Sequence, residues 1–182
     1  MKYKIVLLFF VLLNISCSHP VSKTLPPDAF LKESYEVRSF LKRALSVAPK
    51  GVKLETPADG VNALDVNWPG EALVKSVEEN QPWKSQSHYH FMLDLGETDL
   101  VTYYETDSNT VTASLLLDYY FSRLDKLGFK PAGEPHIFLS YPIQFANNSW
   151  FKEQSNITVA SNVYINVEAK KALITVDIFE IY

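Results

Sequence analysis

The sequence predicts an α+β fold: an antiparallel sheet of about five to six strands with two main helices packed on one face. Three observations lead there. Residues 87–95 (SHYHFMLDL) alternate, with Tyr89, Phe91 and Leu93 on one side and His88, His90, Met92 and Asp94 on the other. Residues 28–47 and 107–130 repeat apolar side chains at helical spacing. The stretches 136–145, 157–167 and 172–182 are rich in β-branched and aromatic residues bounded by turn formers.

The chain begins with Lys2 and Lys4, an uncharged apolar run from Ile5 to Leu13, then Asn14, Ile15, Ser16 and the single cysteine, Cys17. A basic start, a short apolar core and a small residue before the break make a secretory signal. The run is shorter than the about 20 residues a membrane-spanning helix needs. Residues 1–16 therefore read as an export signal that is removed. The segment Leu13-Asn14-Ile15-Ser16-Cys17 resembles the lipobox of bacterial lipoproteins, with Ser16 as the small residue before the cysteine and Leu13 one place ahead of the usual leucine. That resemblance implies a diacylglycerol on the Cys17 sulfur, cleavage just before Cys17, and acylation of the new amino terminus. The membrane then becomes a partner through lipid. Two or more acyl chains anchor stably where one does not, each buried methylene contributing about 0.8 kcal/mol. Lipidation also removes a lone thiol that export would expose to oxidation. Residues 17–27 form the lipidated tether, with Pro20, Pro26 and Pro27 favouring extended backbone. Its ten residues after the cysteine reach at most about 33 Å. In the resembled lipoproteins, a residue such as Ser18 after the cysteine, rather than Asp, goes with sorting to the outer membrane. The expected place is thus the cell envelope, lipid-anchored, facing the periplasm or the surface.

Residues 28–182 suit one α+β domain. Without Lys2 and Lys4, the 17 basic residues fall to 15 against 21 acidic ones, a net charge of −6. Such a domain is a poor nucleic-acid binder, because phosphate contacts need Lys and Arg. The mature chain has no cysteine pair, so disulfides and cysteine-based metal sites are excluded.

The first helix is expected over 28–47, capped by Asp28, with Phe30, Val37, Leu41, Ala44 and Leu45 on its apolar side and Pro49 as the stop. One or two short strands follow in 52–68, split by the Pro57-Ala58-Asp59-Gly60 turn, and then a short helix over 71–79. The alternating strand leads into a Gly96-Glu97-Thr98-Asp99 turn and a returning strand over 100–106. The strongest helix is expected over 107–130, lined by Leu116, Tyr120, Leu124 and Leu127, widened by Leu117 and Phe121, and capped by Gly128 before Pro131. The pattern Tyr119-Tyr120, Leu124, Leu127-Gly128-Phe129 looks like a helix of many small exported bacterial proteins, which set it between strands of an antiparallel sheet. Of the last three strands, Pro142 bends the first or places it at an edge. The Glu168-Ala169-Lys170-Lys171 turn joins the other two, on which Val163, Ile165, Val167, Ile174, Val176, Ile178 and Phe179 form the apolar set.

Few residues suggest chemistry. Alternation sets His88 and His90 on one strand face with Asp94, the arrangement a metal ion needs, but the sequence supplies no convincing further ligand. Two solvated histidines on a half-exposed strand are the plainer reading, and no cofactor is implied. Glu97, Asp99, Glu105 and Asp107 cluster near the turn and helix start, where capping explains them better than acid–base work. Ser39 and Lys42 fit S-x-x-K, the nucleophile pair of penicillin-recognising serine enzymes, without the S-D-N or K-T-G partners. Trp68, Trp83 and Trp150 stand beside turns, where they either plug the rim of the core or line a groove.

The expectation is a non-enzymatic envelope lipoprotein with a binding or structural role and an envelope protein as partner. A periplasmic small-molecule or lipid carrier, with an apolar pocket between sheet and helices, is the first alternative. A hydrolase using His88 or the carboxylates is the second.

Overall fold

The computed structural model describes residues 25–55, 70–96 and 112–182. The signal, Cys17, most of the tether, Trp68, the returning strand over 100–106 and the carboxylates Glu97, Asp99, Glu105 and Asp107 lie outside them.

The domain has the α+β class expected: three helices and a seven-stranded antiparallel sheet among the described residues. Helix α1 spans Pro27–Leu45. Pro27 takes the first helical position, where its missing N–H costs nothing, so Asp28 sits in the first turn rather than at the cap. Strand β1 is Lys53–Glu55, helix α2 is Gly70–Glu78, and strand β2 is Lys84–Asp94. Helix α3 covers Thr112–Phe121 and passes into a tighter 3₁₀ segment, Ser122–Leu127. The single helix expected up to residue 130 is therefore shorter and changes pitch. Gly128 caps the 3₁₀ segment at φ 84°, as its position suggested.

The stretch expected as one bent strand over 136–145 is instead a tight hairpin. Strand β4, His136–Ser140, turns at Tyr141-Pro142 into β5, Ile143–Phe151. Before them lies β3, Lys130–Pro131, and after them β6, Ile157–Asn166, and β7, Lys171–Ile181. The sheet runs β1-β2-β7-β6-β5-β3, and β4 lies on the same edge of β5 as β3.

Strict alternation sorts the two faces. Tyr89, Phe91, Leu93, Val159, Val163, Ile165, Ile174, Val176 and Ile178 point inward and are buried. Two side chains depart from the expected apolar set. Phe179 faces outward and is half-buried, while Glu180 takes the inward position and is fully buried. Helices α1 and α3 meet the sheet and its strand ends through aromatic contacts. Phe30 of α1 sits edge-on to Trp83 and Tyr182, at 5.8 and 5.4 Å between ring centres. Phe121 of α3 stacks on Trp150 at 4.8 Å, and Tyr120 meets Phe91 edge-on at 5.4 Å. Trp83 and Trp150 thus plug the core rim. The Gln144 side-chain oxygen accepts the Ala113 N–H at 3.2 Å, so β5 supplies one of the acceptors that the start of α3 lacks.

One ion cluster ties the other end of the sheet together. Lys171 of β7 reaches Glu55 of β1 at 2.6 Å and Asp94 of β2 at 3.1 Å. The Lys171 hydrogen bond, then the Gly96 N–H, hold the Asp94 carboxyl below its ordinary pKa. Hydrogen bonds from Lys171 to Glu55 and Asp94 raise the ammonium's own pKa. A carboxylate with a depressed folded pKa contributes stability that is present above its unfolded pKa and lost as the pH falls through the folded one. A raised lysine contributes below its unfolded pKa and loses that as the pH rises through the folded one. Urea midpoints should therefore fall as the pH drops below the ordinary carboxylate range and acid protonates Asp94. In Lys171→Met that part of the acid slope should shrink. An unchanged slope would mean that other carboxylates set it.

Candidate functional site

His88 and His90 project from the outer face of β2, their ring centres 6.3 Å apart. The Nδ1 of His88 lies 2.8 Å from Asp177 Oδ1 on the neighbouring β7, a residue directly across the ladder. Asp94 shares that face, as expected, but is drawn into the Lys171 cluster. Among the described residues, no group of three or more His, Cys, Asp or Glu side chains comes together to hold a metal ion. Lys42 lies on the exposed side of α1, away from the buried stripe that runs through Phe30, Val37, Leu41 and Leu45, and Ser39 is only half-buried there.

The structure adds three features that the sequence did not announce. The first is a buried polar network between α1 and the sheet. Arg38 pairs with Glu180 and also donates to Tyr89 OH and Ser87 Oγ, each at 3.1 Å. Its Nε lies 3.3 Å from Glu180 Oε1, and the Ser34 hydroxyl donates to that same oxygen. Ser34 and Glu180 have no exposure at all. A serine so enclosed cannot reach a substrate, and the network reads as a device that fixes how α1 seats on the sheet. The signal for it was a glutamate in phase with the inward residues of β7 and an arginine inside the apolar stripe of α1.

The second feature is a cavity of about 320 Å³ where the last turns of α1 pass the end of α3. Phe40, Arg43, Ala44 and Val47 form one wall, spaced as one helical face, and Tyr119, Tyr120 and Arg123 form the other. Tyr119 closes one end, its hydroxyl donating to the Ala48 carbonyl at 3.3 Å. The Tyr120 hydroxyl is buried with no hydrogen-bond partner. Burial first, and Tyr119 second, push its pKa well above the ordinary tyrosine value, so it stays a neutral donor. The inward side chains of the sheet and the helices form one buried apolar cluster.

The third feature is strand β4. All five of its residues are exposed, and among the described residues it pairs only with β5. Ile137, Phe138 and Leu139 are 41%, 54% and 49% exposed, and Tyr141 beyond them is 69% exposed. On the outer face, Phe138 opposes Phe145, Phe145 opposes Tyr164, Tyr164 opposes Leu173, and Leu173 opposes Met92. The Phe145 and Tyr164 rings lie 4.8 Å apart. An apolar row thus crosses five strands and ends at an edge that no other described strand covers. From Pro135 to Phe151 the chain has no Asp, Glu, Lys or Arg. Comparison of the chain with family models, with curated proteins and with solved structures gave no match.

Proposed function

We propose that this protein is a lipid-anchored component of a bacterial cell envelope whose domain binds a protein partner rather than catalysing a reaction. The observation that supports it is the β4 edge, which no other described strand covers. Edge strands are ordinarily blunted by charge, proline or a bulge, because unpaired backbone groups invite another strand. The Glu134-Pro135 segment before β4 supplies such a guard, but residues 136–140 do not. An extended, uncharged segment of an envelope protein would add to this edge through main-chain hydrogen bonds and lay alternate side chains beside Ile137 and Phe138. The resemblance of residues 13–17 to a lipobox accounts for the anchor, and the short tether keeps the edge close to the bilayer.

The test has two arms. Labelling cells with a palmitate analogue should tag the wild-type protein and leave Cys17→Ser untagged and released from membranes. A photo-reactive side chain at Leu139 should crosslink to an extended, uncharged segment of an envelope protein, identified by mass spectrometry. Phe138→Lys should abolish that crosslink without shifting the thermal midpoint, since Phe138 is already half exposed. Absence of label would remove the anchor. A crosslink only to a second copy of this chain would replace the partner by self-pairing.

A further inference from the structure

The chain has three arginines, Arg38, Arg43 and Arg123. Arg38 is locked to Glu180 inside the domain. The other two both line the cavity between α1 and α3, although 80 positions separate them in sequence. Among the described residues, no lysine and no carboxylate lines that cavity. This is a local concentration of guanidinium in a protein whose net charge is −4. Neither Arg43 nor Arg123 has an ion-pair partner among the described residues. Guanidinium differs from ammonium in presenting a rigid fork of donors that matches the oxygens of carboxylates and phosphates. The other lining groups are of a different kind. Phe40, Ala44 and Val47 make an apolar wall, and Tyr119 and Tyr120 stand on the other side. The volume, about 320 Å³, is at the small end of ligand pockets.

We propose that this cavity binds a small oxyanion joined to a compact apolar group, with Arg43 and Arg123 holding the oxyanion and the Phe40–Val47 wall covering the apolar part. The site is separate from the β4 edge and does not depend on the partner reading. Its ligand could come from a lipid headgroup bearing a short apolar segment or from a soluble ester, which share this chemistry.

Calorimetric titration of the purified full-length protein with phenyl phosphate tests it. The expected result is saturable binding at one site, with inorganic phosphate at least about ten-fold weaker because it leaves the apolar wall uncovered. Arg43→Gln and Arg123→Gln should each weaken phenyl phosphate by at least about ten-fold, the loss of one charge-assisted hydrogen bond. Both side chains are exposed, so the thermal midpoint without ligand should hold. Ala44→Trp should fill the cavity and abolish binding, and Lys75→Gln on α2 should change nothing. Absence of saturable binding would overturn the proposal. So would affinity unchanged in both glutamine variants, or inorganic phosphate binding as tightly as phenyl phosphate. Dihexanoyl phosphatidate then separates the sources. Its displacement of bound phenyl phosphate supports the site with a lipid ligand, and its failure to displace supports the site with a soluble one.

Discussion

Glu180→Ala is expected to destabilise the domain by about 3–5 kcal/mol, read as a lower urea midpoint at unchanged slope. The cost does not come from the ion pair as a net attraction, since desolvating two charges offsets most of what they gain from each other. It comes from what the substitution leaves behind. Arg38 has four of its five N–H groups engaged with Glu180, Ser34, Ser87 and Tyr89, and its side chain is 10% exposed. Without the carboxylate, a guanidinium that cannot lose its proton stays under α1 with no counter-charge. The double variant Arg38→Met, Glu180→Leu removes both charges and should recover wild-type stability or exceed it. If the single variant cost less than about 1 kcal/mol, water would have to reach Arg38. If the double variant were as unstable as the single one, the Ser34, Ser87 and Tyr89 hydroxyls would carry the energy instead.

Phe121→Ala is the second large effect, again about 3–5 kcal/mol, for a different reason. Phe121 has no exposure and stacks on Trp150 with the rings inclined by 25°. Truncation loses the transfer energy of the ring and leaves a void that the rigid β5 strand cannot close. Phe179 is the control: it is the same residue type, on the solvent face of β7, and its truncation should cost about 1 kcal/mol or less. Trp150 reports the difference directly. Its emission should shift to the red in Phe121→Ala, as water reaches the indole, and stay in place in Phe179→Ala. Equal costs for the two variants would contradict the assignment of faces.

The same two residues show what was legible in the chain. Period-two alternation marks a strand wherever one face is buried, so β2, β6 and β7 could be read nearly to their ends. Phe179 misled because alternation, not hydrophobicity, decides the face, and residue 179 falls out of phase with Ile178. Glu180 keeps the inward phase, but a charged side chain is seldom placed in a core without its partner, and Arg38 is 142 residues away. The β4–β5 hairpin was missed because HIFLSYPIQF has none of the glycine or asparagine that announces a turn, and a proline in an apolar run resembles a bend. His88 and His90 were placed correctly on one face, but their neighbour across the ladder, Asp177, is 89 residues away from His88. Arg43 and Arg123 shared no local pattern at all. Their meeting is a product of helix packing, which a single sequence does not display.

The position of β7 has a consequence for how the domain comes into being. Among the described residues, it is the only strand that joins β1 and β2 to the β6–β5 side of the sheet. Every other strand precedes it in the chain, and it also carries Glu180 and leads to Tyr182, whose N–H and carbonyl bond back to Trp83. Before residues 171–182 are delivered, the sheet is two fragments with open edges and Arg38 has no counter-charge. Nothing upstream can close into the native core on its own. The pairing of β2 with β7 spans most of the domain, so its loop-closure entropy is paid late. A chain built this way completes its sheet only when its last twelve residues are in place.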